Sequence, residues 1–164
     1  MLILGINTAF PAASLAVARD AALLGEIFLP GEKPRSENLI KDIKNFLAGR
    51  KIKLSDIQVI SVVTGPGSYT GLRLGLTTAK TMAQVAGTKI VAVNSLEVLA
   101  YQARILNGLL AVIIKASQKA CNLALFGLKS GHPGRITTDL VVAEKISSKP
   151  ASSISPADSR KKSR

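Results

Sequence analysis

The run IQVISVV (Ile57–Val63) passes without a break into TGPGSYTGLRLGLTTAK (Thr64–Lys80). A near-continuous apolar run of this kind suits a central strand covered on both faces, as in a parallel sheet. Gly65, Pro66 and Gly67 then turn the chain. From about Gly71 to Ala86 the residues are small or apolar with no Pro, which predicts a helix. Strand, glycine turn and helix in immediate succession commit the chain to an α/β layer architecture. The same connection poses a chemical question, because turn glycines at a helix N-terminus can gather backbone N–H groups around an anion.

Around this unit the pattern is regular. LILGIN (Leu2–Asn7), AASLAVAR (Ala12–Arg19) and ALLGEIFLP (Ala22–Pro30) read as a strand meander with a tight turn at Asp20. Ser36 is placed to cap a helix whose apolar positions Leu39, Ile40, Ile43, Phe46 and Leu47 share one stripe, with Gly49 at its end. KIVAV (Lys89–Val93) is another strand, and Asn94 or Ser95 caps a third helix. The order β-β-β-α-β-α-β-α is that of an actin-like or RNase H-like mixed sheet with flanking helices. Beyond Gly108, LLAVIIKA, KACNLALFGL and ITTDLVVAEK read as three more strands, the start of a second copy of the meander. The expected division is a first lobe over 1–107, a second lobe truncated to a few strands over 108–146, and a disordered basic tail over 147–164.

Does the glycine turn carry chemistry? Gly65, Gly67 and Gly71 give G-x-G-x-x-x-G, one residue longer than the dinucleotide fingerprint, and no acid follows about twenty residues on. The phosphate-loop pattern fails as well, because Leu72 and Arg73 follow Gly71. Two readings stay open: a generic anion or nucleotide loop built from Gly65, Gly67, Ser68 and Arg73, and a plain structural turn. Elsewhere the sequence predicts no catalytic residue, no metal site and no cofactor. The first strand ends in Asn7, a poor ligand for a hard cation. Asp20 and Asp56 read as turn or capping residues. His132, in an exposed SGHPG turn, and Cys121, in a strand, each stand alone, and Ser68 has no base beside it.

Composition bounds the rest. The chain has 164 residues, 47% hydrophobic but only 4% aromatic and without Trp, so its core is aliphatic. A single Cys permits no internal disulfide and suits a reducing compartment. LLAVII is far too short to cross a bilayer, and the N-terminus lacks a basic leader region. The expectation is a soluble cytoplasmic protein without membrane contact. The net charge of +12 favours nucleic acid or an acidic partner, although the scarcity of aromatics argues against base-stacking platforms.

The segments ILGINTA, RSENL (Arg35–Leu39), GPGSYTGLRLGLTTAK and VNSLEVLA (Val93–Ala100) resemble, in order and spacing, the TsaB (YeaZ) family of tRNA threonylcarbamoyladenosine biosynthesis. The resemblance runs from residue 1 to about residue 127. It implies an actin-like fold and a non-catalytic scaffold that pairs with a TsaD-type catalytic subunit. It also implies a larger assembly with a TsaE-type ATPase subunit, contact with tRNA that is indirect, and a capacity for homodimers. Against the family pattern, Asn7 stands where Asp is usual, Arg35 where His is, and Tyr69 where Phe is. Lys115, Ala116 and Ser117 occupy the place of a common DAR triplet.

The second predicted helix offers a physical basis for pairing. Gly71, Gly75, Ala79 and Ala83 recur every four residues and line one bare ridge, which packs on the chain's own sheet or against a neighbour, and a helix this apolar on several sides is expected to do both, one face inward and one toward a neighbour. Carried over from the resemblance, the expected partner surface comprises Arg35, Ser36, Leu39, Ile40 and Ile43 on the first helix. On the second it comprises Gly71, Leu72, Gly75, Thr78, Ala79 and Met82. Two alternatives to the scaffold reading are a weak nucleotide-binding relative of actin-like ATPases and a basic module that contacts tRNA directly.

Overall fold

Three antiparallel strands open the chain in the computed structural model, which describes residues 1–29, 35–129 and 131–143. They are β1 (Leu2–Asn7), β2 (Ala13–Arg19) and β3 (Ala22–Leu29). In β1, positions 2, 4 and 6 are buried and 3, 5 and 7 only half-buried, the period of two that a strand imposes. The β1–β2 turn carries Thr8 and Ala9 inward. At the β2–β3 turn Asp20 adopts a left-handed φ of 54° and donates its N–H to the Met1 carbonyl, and its carboxylate pairs with the terminal amine.

Helix α1 (Arg35–Ala48) follows, then β4 (Val59–Gly65), α2 (Tyr69–Ala86), β5 (Lys89–Asn94) and α3 (Ser95–Gln102). The first sheet has the order β3-β2-β1-β4-β5, with β4 parallel to β1 and β5 parallel to β4. This is the mixed sheet expected for an actin-like or RNase H-like fold. Leu39, Ile43, Phe46 and Leu47 of α1 and Ala79, Met82 and Ala83 of α2 cover one face, packing on Leu4, Ile6, Leu15, Val17, Ile60 and Val62. Gly49 follows α1, but the left-handed residue of that turn is Lys51. Arg50 lies 4.0 Å over the Phe46 ring and fills the space beside Gly25, where a Cβ would collide with its guanidinium. Helix α2 ends at Gly87 with φ 65°, its N–H closing on the Ala83 carbonyl.

Asn94 is the cap of α3: its Oδ1 accepts the Leu96 N–H at 2.8 Å. The helix buries Leu96 and Ala100 against a second sheet made of β6 (Gly108–Lys115), β7 (Ala120–Lys129), β8 (His132–Arg135) and β9 (Leu140–Ala143). Here the structure departs from the pattern-based reading. ITTDLVVAEK does not form one strand, and the SGHPG segment is not only a turn. Instead β8, which begins at His132, and β9 each pair with β7, one near either end. The cause is Arg135, whose Nε donates to the Thr137 carbonyl at 2.8 Å while its guanidinium holds both Asp139 and Glu97 of α3. The chain is thereby pinched over Ile136–Asp139. The basic tail lies outside the described residues. Among the described helices none is long and apolar enough to cross a membrane.

The second sheet depends on Phe126, 1% exposed among Leu96, Ala100, Val112 and Ala124. Phe126→Ala should lower unfolding free energy by about 3–5 kcal/mol, read as a fall in the urea midpoint.

Candidate functional site

The glycine turn is built for close approach inside the chain. Ser68 caps α2, its Oγ accepting the Gly71 N–H at 3.3 Å, and its own N–H donates to the Ala9 carbonyl at 2.8 Å. Thr8 is fully buried beneath the helix, and its hydroxyl donates to the Gly71 carbonyl at 2.7 Å. A Cβ on Gly71 would overlap the Thr8 carbonyl, and one on Gly75 would overlap the Thr8 hydroxyl. Glycine is required at both positions because backbone and side chain meet where a Cβ would sit.

The expected partner ridge is corrected accordingly. Gly71, Gly75, Thr78 and Ala79 are buried within the chain, as is Ala83, so they face its own β1–β2 turn and sheet. Leu39 and Ile43 of α1 also point into the core at 2% and 0% exposure. Of the residues proposed for a partner, Ile40 is exposed and Leu72 half-buried. The side chains of Arg35 and Ser36 lie outside the described residues.

The anion reading fares no better. Gly65 and Gly67 line a cleft of about 440 Å³ between the two sheets, together with Tyr69, Asn94, Asn122 and Asp139. Its charged lining residue is an acid, Asp139, which accepts from Asn94 Nδ2 at 3.0 Å. The Ser68 hydroxyl is engaged as a cap. Arg73 is exposed on α2, 5.4 Å from the Tyr69 ring centroid, and does not line the cleft. Like charge disfavours an anion there. The Asp56 carboxylate accepts the Lys53 N–H at 2.8 Å and is a turn cap. Among the described residues no three His, Cys, Asp or Glu side chains cluster to hold a metal.

What α1 and α2 do present outward is a groove of about 290 Å³. Ile43 and Met82 form its floor, and Ile40, Lys44, Thr81 and Val85 its rim. Val85 is 77% and Ile40 47% exposed. Fully burying two such side chains contributes about 1.5–3 kcal/mol each. The sequence reading missed Lys44, Thr81 and Val85. The available signal was the stripe Thr81–Val85, four residues apart on the side of α2 away from the glycine ridge.

Sheet order and helix placement define an actin-like mixed α/β protein with an apolar groove on its helical layer. The family model for TsaD, tRNA N6-adenosine threonylcarbamoyltransferase, matches residues 30–130. The tRNA threonylcarbamoyladenosine biosynthesis protein TsaB of Bacillus subtilis is 32% identical over 85% of this chain and 61% of its own length. A tRNA N6-adenosine threonylcarbamoyltransferase of Rhizobium etli is 40% identical over 44% of this chain and 20% of its own. YeaZ from Pseudomonas aeruginosa shares the fold with a TM-score of 0.75 at 22% identity, over 86% of this chain and 67% of that one. The chain belongs to the family that the TsaD model describes, and it spans 61% of the length of the B. subtilis protein.

The packing at Thr8 makes a direct prediction. Gly75→Ala should destabilise the fold by about 1–3 kcal/mol through overpacking, measured by denaturant unfolding. An unchanged midpoint would contradict the inward orientation of the ridge.

Proposed function

We propose that this chain is the non-catalytic TsaB-type subunit of a cytoplasmic tRNA threonylcarbamoyladenosine-modifying assembly, and that it binds a TsaD-type catalytic subunit through the α1/α2 groove. The match to the TsaD family model and the 32% identity to the B. subtilis TsaB support the assignment to this modification. The observation that carries the docking site is the groove itself: two helices packed side by side leave Ile40 and Val85 in water above an apolar floor. A helix laid into such a groove would bury both side chains and use Lys44 at the rim as a charged contact. The cleft between the sheets does not favour a competing catalytic reading: Asp139 is its charged lining residue, and both it and the neighbouring carboxylate, Glu97, are held by Arg135.

The proposal ranks the predicted contacts. Ile40 remains a contact residue, Met82 and Ile43 support it from below, and Val85, Lys44 and Thr81 join it. The net charge of +12 suits an assembly that works on tRNA, with the catalytic subunit making the specific contacts.

Co-expression with the TsaD-type subunit of the same organism, followed by size-exclusion chromatography, tests the reading. Combining Ile40→Glu with Val85→Glu should weaken co-elution by more than about tenfold, equivalent to 1.4 kcal/mol, while far-UV circular dichroism stays unchanged. Undiminished co-elution of a folded double variant would reject the groove as the docking site.

A further inference from the structure

The floor of the α1/α2 groove is apolar, and the charge around it is mostly of one sign. Lys44 lines the groove beside Ile40 and Ile43. Lys41 lies one helical turn before Lys44, on the same side of α1, and both are exposed. The segment KIKL (Lys51–Leu54) closes the end of the groove next to the last turn of α1 by alternation. Ile52 and Leu54 are half-buried and line it, while Lys51 and Lys53 are exposed.

The described acids of this stretch are placed or occupied otherwise. Asp42 sits two positions from both Ile40 and Lys44, which turns it to the other side of α1, and it does not line the groove. The Asp56 carboxylate already accepts the Lys53 backbone N–H at 2.8 Å.

A segment matched to this surface brings apolar side chains for the floor and carboxylates for the rim. RNA matches the cations but not the floor: Ile43, Leu47 and Met82 offer a base neither a ring to stack on nor a polar group to bond. A basic or neutral amphipathic helix matches the floor but leaves Lys44 uncompensated. Resting on the docking site proposed above, we propose that the segment of the catalytic subunit seated in the groove is an acidic amphipathic helix. Its apolar residues, three or four apart, settle between Ile40 and Val85, and Asp or Glu on its flank faces Lys44 and Lys41. The apolar contacts hold the complex together, while the lysines speed its formation, because charges at a rim act mainly on the association rate.

Stopped-flow binding of the full chain to the TsaD-type subunit of the same organism separates these two contributions. Combining Lys41→Glu with Lys44→Glu should slow association by at least about tenfold and leave dissociation within about twofold. Combining Ile40→Glu with Val85→Glu should instead accelerate dissociation. Raising salt from about 0.05 M to about 0.5 M should slow association of the unaltered chain several-fold, and the lysine double variant should lose or reverse that dependence. Lys119→Glu with Lys129→Glu, on the second sheet, makes the same change in net charge and should leave association within about threefold of the unaltered chain. All four lysines are exposed, so unchanged circular dichroism is expected of each variant. Equal slowing by both lysine pairs overturns the proposal. So does rapid association of the Lys41, Lys44 double variant while the Ile40, Val85 double variant fails to bind, a result that leaves the docking site standing. If neither double variant of the groove alters binding, the docking site and the acidic helix fall together.

Discussion

Thr8 gives its hydroxyl proton to the Gly71 carbonyl in a position closed to water, and the placement of α2 follows from that contact. A buried hydroxyl left without a partner would cost about 1–3 kcal/mol, so the turn after β1 and the first turn of α2 hold each other in register. The approach is possible only because Gly71 and Gly75 have no Cβ to collide with Thr8. Further along the same helix, Ala79 and Ala83 let it lie close on the sheet. With α2 fixed there, α1 takes the remaining width of the sheet, and the groove between the two helices becomes part of the surface.

The two sheets are covered to different degrees. One face of the first sheet is sealed by α1 and α2, with an aliphatic core suited to a chain so poor in aromatics. In the second, among the described residues, the face toward α3 is sealed around Phe126, while Leu109, Ile113 and Leu140 are exposed. Polar contacts connect the two regions. Arg135 of β8 reaches Glu97 on α3, and Asp139 reaches back to Asn94 at the end of β5. Two of the residues that line the cleft between the sheets, Asn94 and Asp139, are thus bonded to each other.

Much of the fold was legible in the sequence because its signals are local. The period of two in LILGIN, the helical stripe from Leu39 to Leu47 and the cap at Asn94 or Ser95 each depend on neighbours a few residues away. The motif order identified the family before any coordinates did. The second sheet was less legible. Its third strand was expected over residues 136–145, whereas β8 lies before that run and β9 covers only Leu140–Ala143, with Arg135 at the end of β8 reaching Glu97, 38 residues earlier in the chain.

The sequence by itself determined the order of elements, the aliphatic core, the family, and that one ridge of α2 must meet something at close range. Tertiary structure alone decided what that something is. A bare glycine ridge carries the same pattern whether it touches a neighbouring molecule or its own Thr8, because periodicity records that a surface is covered and not what covers it. The answer came from a contact between residues 8 and 71, a separation over which local patterns carry no information. The same placement took the glycines out of the candidate docking surface, kept Ile40 and added Val85.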